Sequence, residues 1–148
     1  MALDVEPDGE HVPYRSLTVE QAPTVRADDG STVRPLAALD GQGSFARFEL
    51  AAGAISRAVS HTTVQEIWYV AQGTGLIWRR QAGRETVTEL RPGTALTIPL
   101  GTAFQFRADD GAGGSGGPAL HIVAVTMPPW PDNGTEARSE SGPWEPTC

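Results

Sequence analysis

The chain has 148 residues and a formal charge of −7 at pH 7, a size typical of one domain with a full core. The acidic balance argues against nucleic acid or an anionic membrane surface as a partner. No apolar run approaches the ~20 residues of a membrane helix, and the acidic N-terminus lacks the apolar segment of a signal peptide. The single cysteine, Cys148, cannot form an internal disulfide, which fits a cytoplasmic protein.

The N-terminal part of the chain predicts an arm followed by a β-hairpin. Residues 1–22 are polar and interrupted by prolines, with one turn of helix expected near residue 18. Residues 25–27 and 32–36 flank an acidic, glycine-containing turn, and residues 44–50 form a further strand.

The most informative stretch runs from residue 53 to residue 73. The alternation predicts a strand at residues 55–61, with Arg57, Val59 and His61 on one face. A second strand follows, in which Glu66 and Trp68 share a face. Two acid–base side chains therefore stand within apolar strands.

The rest of the chain continues as short strands separated by turns, up to a proline-rich end. The further predicted strands are residues 76–80, 85–90, 94–98, 103–107 and 119–127. The glycine-rich residues 108–118 predict a flexible loop. Trp130 and Trp144 lie between prolines and are expected to anchor the tail.

Short strands, frequent turns and no helical period predict an all-β, antiparallel sandwich or barrel forming a single domain. We divide the chain into an N-terminal arm at 1–22, a barrel at 23–127 and a tail at 128–148. Unpaired sheet edges need cover, which the arm, the tail or a second subunit can supply.

Two motifs in this chain resemble those of the cupin family. The first cupin motif has the order Gly, His-x-His, Glu, Gly, and this chain has Gly53, Val59, His61, Glu66 and Gly73 at the same intervals. The second has the order Gly, Pro-x-Gly, His, Asn. Here the corresponding residues are Gly93, Pro99, Gly101, Phe104 and Ala108.

The resemblance implies a jelly-roll barrel and, in metal-binding cupins, one divalent ion held by the three histidines and the glutamate of the motifs. Val59 and Phe104 replace two of these histidines, and neither side chain can bind a metal. We therefore expect no cofactor. The alternative is one divalent ion on His61 and Glu66, with His121 as a third ligand if it faces inward.

His61 and Glu66 are the predicted catalytic pair. A carboxylate beside an imidazole fixes the tautomer of the ring and raises its pKa, which suits proton transfer. The alternative is a pair that merely satisfies itself in the core. Arg57 is predicted to hold a carboxylate or enolate oxygen at the barrel mouth, or else to pair with a surface acid.

Apolar side chains around the pair are candidates to line a substrate cavity, although such residues also fill ordinary barrel cores. Those predicted to bind substrate are Val59, Trp68, Trp78, Phe104, Phe106 and His121. His121 is also consistent with a structural position at the rim.

These residues, with the resemblance, predict an enzyme that performs metal-independent acid–base chemistry, as an isomerase, cyclase, dehydratase or lyase, on a largely apolar carbonyl or carboxyl compound. One alternative is an oxygenase or hydrolase that uses Fe, Mn or Zn at His61 and Glu66. Another is a barrel that binds a small molecule without turning it over. By analogy with cupins, we expect a homodimer.

Overall fold

The computed structural model describes residues 11–111 and 117–148. Apart from one 3₁₀ turn at Val19–Gln21, the regular elements in these ranges are strands. They are β1 (Val25–Arg26), β2 (Thr32–Leu39), β3 (Gly43–Leu50), β4 (Val59–His61), β5 (Gln65–Gln72), β6 (Gly75–Gln81), β7 (Arg84–Leu90), β8 (Ala95–Ile98), β9 (Ala103–Ala108), β10 (Leu120–Met127) and β11 (Ala137–Ser139). None of the helical structure described is long or apolar enough to cross a membrane.

The strands form two antiparallel sheets, which confirms the predicted all-β fold. One sheet has six strands in the order β1-β2-β3-β10-β5-β8, and the other has five in the order β11-β4-β9-β6-β7. Strands β6 and β7 form a local hairpin, whereas β10 pairs with both β3 and β5 from far along the chain. This mixture of hairpins and long connections is that of a jelly roll.

Apolar side chains fill the space between the sheets. In β5, buried Glu66, Trp68 and Val70 alternate with exposed residues, as expected for a strand with one face on the core. Trp68 packs edge-to-face against Phe48, Phe104 and Phe106, with ring centroids 5.1, 5.5 and 5.1 Å away. These aromatic rings fill the barrel interior beside Glu66.

The glycines that bound the first motif have a backbone reason for their positions. Gly53 and Gly73 have φ values of +78° and +82°, a region that favours glycine over other residues. At Gly73 a Cβ atom would also lie 2.6 Å from the Ala119 carbonyl oxygen, so no other residue fits without displacing the backbone.

The predicted strand at residues 55–61 is shorter in the structure. Only Val59–His61 is regular strand. Ile55 forms an isolated bridge with Arg107, and the Arg57 amide donates to the Asp29 carbonyl. These contacts break the simple alternation before β4, so the side chains of residues 55–58 do not follow the predicted faces. As a result, Arg57 is exposed and does not share a face with Val59 and His61 as predicted.

The predicted tail contributes to the fold. Strand β11 pairs with β4, which the sequence did not predict. Trp144 packs against Ala58, Trp78 and Ala103 in a cluster separate from the main core. The buried Gln105 side chain hydrogen-bonds the Trp144 backbone at both its carbonyl and its amide. The tail thus covers the outer face of the five-stranded sheet.

Candidate active site

The candidate site lies where several strands begin or end at one end of the barrel. His61 is the last residue of β4, and Glu66 is the second residue of β5. Glu66 pairs in register with Ile98 at the end of β8 and with Thr126 near the end of β10. A short turn of three residues, Thr62 to Val64, joins the strands and turns the chain from one sheet into the other.

His61 and Glu66 form a close, buried pair. His61 Nδ1 lies 3.4 Å from Glu66 Oε2, and the two residues are 7% and 5% exposed. The Nδ1 atom has no hydrogen bond to any described residue, and its contact with Glu66 is longer than an ordinary hydrogen bond. The structure therefore brings together the two side chains that the motif spacing singled out.

Aromatic rings surround the imidazole. Phe104 lies on one side with its ring centroid 5.3 Å from that of His61, and Trp130 lies at 5.1 Å. Both contacts are edge-to-face, a favourable arrangement for aromatic pairs. Since Nδ1 faces Glu66, the second ring nitrogen, Nε2, lies on the opposite side of the imidazole.

Burial dominates the electrostatics of the pair. It raises the pKa of Glu66 to about 8, and the negative charges of Asp29 and Glu136 add to this rise. It also lowers the pKa of His61 to about 4, although Glu136 and Asp28 oppose that shift. Loss of water disfavours the charged form of both groups. This corrects the expectation that Glu66 raises the pKa of His61.

The indole of Trp68 is the other polar group beside Glu66. Its N–H favours the charged form of Glu66, but Trp68 Nε1 lies outside hydrogen-bonding geometry and is buried without a partner among the described residues. A buried donor without an acceptor is costly. The indole lowers the pKa of Glu66 by less than burial raises it. The carboxyl group therefore remains protonated near neutral pH.

Glu136, from the tail, fixes the turn between His61 and Glu66. Its Oε1 accepts hydrogen bonds from the amides of Thr63 and Val64 at 2.7 and 2.8 Å, and its Oε2 accepts one from the Thr63 hydroxyl at 2.7 Å. Burial acts to raise the pKa of Glu136, but these hydrogen bonds outweigh it and lower the pKa. An ionised carboxylate thus holds the turn.

Trp130 forms the roof over His61. The residue is 41% exposed, and its backbone amide donates to the Ser44 hydroxyl at 2.9 Å. The Ser44 hydroxyl also bonds that of Thr126, whose residue is the register partner of Glu66. These hydrogen bonds hold Trp130 to the strands that carry the site, while part of the residue faces solvent.

The two residues that replace motif histidines both lie beside the pair. Val59 and Phe104 are direct cross-strand partners on β4 and β9, and both are buried. Phe104 and Trp68 contact each other and belong to the main core, as does Phe106. These four predicted substrate-binding residues form the apolar wall behind His61 and Glu66.

The structure does not bring Arg57, Trp78 or His121 to the pair. Arg57 is exposed, and its Nε donates to the Cys148 carbonyl at 3.0 Å. Trp78 faces the tail cluster and donates from Nε1 to Glu85. His121 alternates with buried residues of β10 and so lies on the outer sheet face. The predicted placement of all three is corrected.

The residues present do not fit the metal site that the motifs imply. His61 and Glu66 offer two donors, while Val59 and Phe104 offer none. Among the described residues, no group of three or more His, Cys, Asp or Glu side chains could hold a metal ion. His121 cannot supply a third ligand from the outer face.

Glu136 is a residue of the site that was not predicted from the sequence. Glu136 lies 73 residues after Thr63, in a segment whose composition indicates a tail. The only local signal is a carboxylate shortly before the apolar Ala137 of β11, which is too weak to single it out. Trp130 was predicted to anchor the tail, and in the structure its ring packs against that of His61.

Comparison with known proteins now identifies the fold family. The family described as Cupin matches residues 21–115, which include both motifs. The chain belongs to the cupin family. A search of curated proteins found no match.

Solved cupin structures superpose on most of the chain. A variant of Streptomyces PAC13 with uridine has a TM-score of 0.65 and 15% identity, covering 88% of this chain and 92% of that one. Pac13 is described as a nucleoside dehydratase. KdgF from Halomonas sp. has a TM-score of 0.60 and 17% identity, covering 78% and 94%. At such identities the likeness shows the fold alone.

Proposed function

We propose that this cupin is a metal-independent acid–base enzyme in which His61 and Glu66 move a proton on a small organic substrate. The single observation that carries the proposal is the 3.4 Å contact between His61 Nδ1 and Glu66 Oε2 in a buried site. Environments that push the pKa values of two neighbouring groups apart are a common arrangement for general acid–base catalysis.

The proton path follows from the ring geometry. When Glu66 is ionised, it accepts Nδ1–H and leaves Nε2 of His61 unprotonated, as a base facing away from Glu66. Nε2 removes a proton from the carbon next to a carbonyl group, and the imidazolium then returns that proton to a departing hydroxyl group. One C–H and one C–O bond break, a C=C bond forms, and water leaves.

The walls of the site suit an uncharged reacting centre. Val59, Phe104 and Trp68 are buried and apolar on the side next to the barrel core, which keeps water from the pair. Trp130 is half-exposed above His61, so a substrate reaches Nε2 at the side that Trp130 covers. A planar carbonyl compound can pack against these rings.

Dehydration of a β-hydroxy carbonyl compound is the reaction we favour among the isomerase, cyclase, dehydratase and lyase classes. One supporting consideration is the fold shared with Pac13, which is described as a nucleoside dehydratase. The other is that one histidine acts first as base and then as acid, so no redox partner is needed. Carbonyl-bearing nucleosides are therefore among the compounds to test.

The test uses purified protein treated with a chelator and a panel of β-hydroxy aldehydes, ketones and acids, including carbonyl-bearing nucleosides. Dehydration gives a conjugated product that is followed by its ultraviolet absorbance. We expect turnover by wild type and by the control His11→Ala, in the exposed arm. His61→Ala should lower kcat/KM by about 100-fold or more, with its circular dichroism unchanged.

Three results would contradict this function. Equal turnover by His61→Ala would remove His61 from the mechanism. Stoichiometric metal in the untreated protein by elemental analysis, with activity lost on chelation, would favour a metal-dependent cupin. Retention of an organic ligand without turnover of any compound would favour a binding protein.

A further inference from the structure

A cleft opens at the same end of the barrel as His61 and Glu66. It lies between the edge of the five-stranded sheet and the end of β8. Its lining residues are mainly basic side chains and hydroxyl groups: Arg79, Gln81, Arg84, Thr86, Thr97, Pro99 and Thr102. No acidic side chain belongs to this described lining, which is notable in a chain with a formal charge of −7.

Strand register connects this cleft to the candidate active site. Phe104 pairs with Val59 of β4 on one side and with Arg79 of β6 on the other. Two residues further along lie His61 at the end of β4, Thr102 just before β9 and Gln81 at the end of β6. With strands about 4.8 Å apart, β4 and β6 are separated by roughly 10 Å. Thr102 therefore stands between His61 and the cleft.

Arg79 has hydrogen-bonding capacity that the fold does not use. Its Nη1 donates to the Thr97 carbonyl at 2.9 Å, and its Nη2 donates to the Thr88 hydroxyl at 3.1 Å. A guanidinium group carries five N–H donors, and Nε of Arg79 is buried with no partner among the described residues. These two bonds fix the guanidinium at the cleft while further donors stay available.

Thr102 gives a second, independent sign of a ligand. The residue is 3% exposed, and its hydroxyl has no hydrogen bond to any described residue. It directly precedes β9, two residues before Phe104, and it lines the cleft. A buried hydroxyl without a partner is costly, and an oxyanion in the cleft would accept its hydrogen bond.

We propose that this cleft binds the anionic group, a carboxylate or a phosphate, of the substrate whose proton is moved at His61 and Glu66. Arg79 and Arg84 supply positive charge, and the Thr102 hydroxyl is a donor on the side towards His61. This rests on the proposed function and names the substrate class. It also gives Arg79 the anion-holding role that the sequence assigned to Arg57.

An anionic group bound in this cleft lies away from the reacting atoms and does not take part in the reaction. Roughly two strand spacings separate it from His61, so its binding energy orients the substrate below Trp130. Interactions with such non-reacting groups can raise kcat as well as affinity. Local positive charge in an acidic protein also draws anionic molecules to this end of the barrel.

Anion binding is tested directly, without turnover. Labelled protein is titrated with inorganic phosphate or acetate at constant ionic strength, and the arginine Nε–H resonances are followed by NMR. Arg79→Gln would remove two bonds between strands, so Arg84→Gln and Thr102→Val are the variants. Each should weaken binding about tenfold or more. The control Arg91→Gln, at an exposed turn, should bind as wild type does.

The outcomes separate this inference from the proposed function. Tighter phosphate binding identifies a phosphate substrate, and tighter acetate binding identifies a carboxylate. Absence of binding, or equal losses in Arg84→Gln and Arg91→Gln, would overturn the inference. His61→Gln should bind the anion normally. Equal turnover of neutral and anionic members of the substrate panel would also overturn it, whereas failure of all turnover would count only against the proposed function.

Discussion

Glu66 has a buried carboxyl group whose charge the fold disfavours. Its pKa of about 8 reflects the loss of water around the carboxyl group, which no cation at the site offsets. The neighbouring imidazole does not act as that cation because burial keeps it neutral down to about pH 4. The pair is therefore uncharged at neutral pH and becomes basic when Glu66 ionises.

This pKa makes stability depend on pH. Folded Glu66 keeps its proton to about pH 8, whereas an ordinary glutamate loses it near 4.5, so unfolding in this range releases a proton and a rising pH destabilises the fold. His61 has the opposite effect between about 4 and 6.5. From pH 6.5 to 8 the effect of His61 has largely ended, and the ionisation of Glu66 should lower the free energy of unfolding by about 2 kcal/mol.

Urea denaturation at several pH values measures this change. In Glu66→Gln the decrease between pH 6.5 and 8 should be about 2 kcal/mol smaller, while the exposed Glu89→Gln should retain the full decrease. An unchanged slope in Glu66→Gln would mean that Glu66 ionises normally in the folded protein.

Motif spacing was enough to place His61 and Glu66 together, since spacing in a barrel fixes which strand ends meet. The sequence did not place Arg57 correctly. Arg57 was assigned by strand alternation, and that alternation fails because Ile55 and Arg57 form irregular long-range contacts. Arg79 lies in a regular strand, but its position near the site depends on how β6, β9 and β4 pair.

The turn between β4 and β5 is held by a distant segment. Glu136 accepts three hydrogen bonds there, and its backbone carbonyl accepts two more from Thr62. Strand β11 follows directly and pairs with β4. The last segment of the chain thus sets the position of His61 from both sides, through the turn and through the sheet.

Replacing Glu136 should therefore destabilise the protein more than replacing a surface glutamate. Glu136→Gln removes the charge from an acceptor of buried amides and should lower the free energy of unfolding by about 1–3 kcal/mol. Glu89 is exposed, and Glu89→Gln should cost less than about 0.5 kcal/mol. Equal losses in urea denaturation would contradict the structural role of Glu136.

Most strands were predictable because turns and alternation are local signals. Predicted residues 44–50, 76–80 and 85–90 fall within β3, β6 and β7. Strand β11 was not predicted because it is only three residues long and shows no local pattern. Proline and glycine residues lie on both sides of it in the sequence. Strand β11 forms because it pairs with an edge of β4 that no other strand occupies among the described residues.

The whole molecule exposes an apolar row on the outer face of the six-stranded sheet. Phe45, Val125 and Ile67 are register neighbours across β3, β10 and β5, and Phe45 and Ile67 are exposed. Such a row is typical of a contact surface. We predict that a second copy of the chain covers it, in the homodimer expected from the family resemblance.

Sedimentation equilibrium tests the dimer. Wild type should sediment as a dimer, and Ile67→Asp as a monomer, because the charge would be buried in the interface. Val87 is similarly exposed on the other sheet, so Val87→Asp should remain a dimer. A monomeric wild type, or a dimer in Ile67→Asp, would exclude this surface.

An NMR titration of the His61 ring nitrogens decides whether His61 and Glu66 form a buried pair suited to proton transfer. We expect a neutral imidazole at pH 6.5 that gains its proton only near pH 4. We also expect a second change in the same signals near pH 8, as Glu66 ionises, which is absent in Glu66→Gln. A single titration near 6.5, with no change near pH 8, would contradict it.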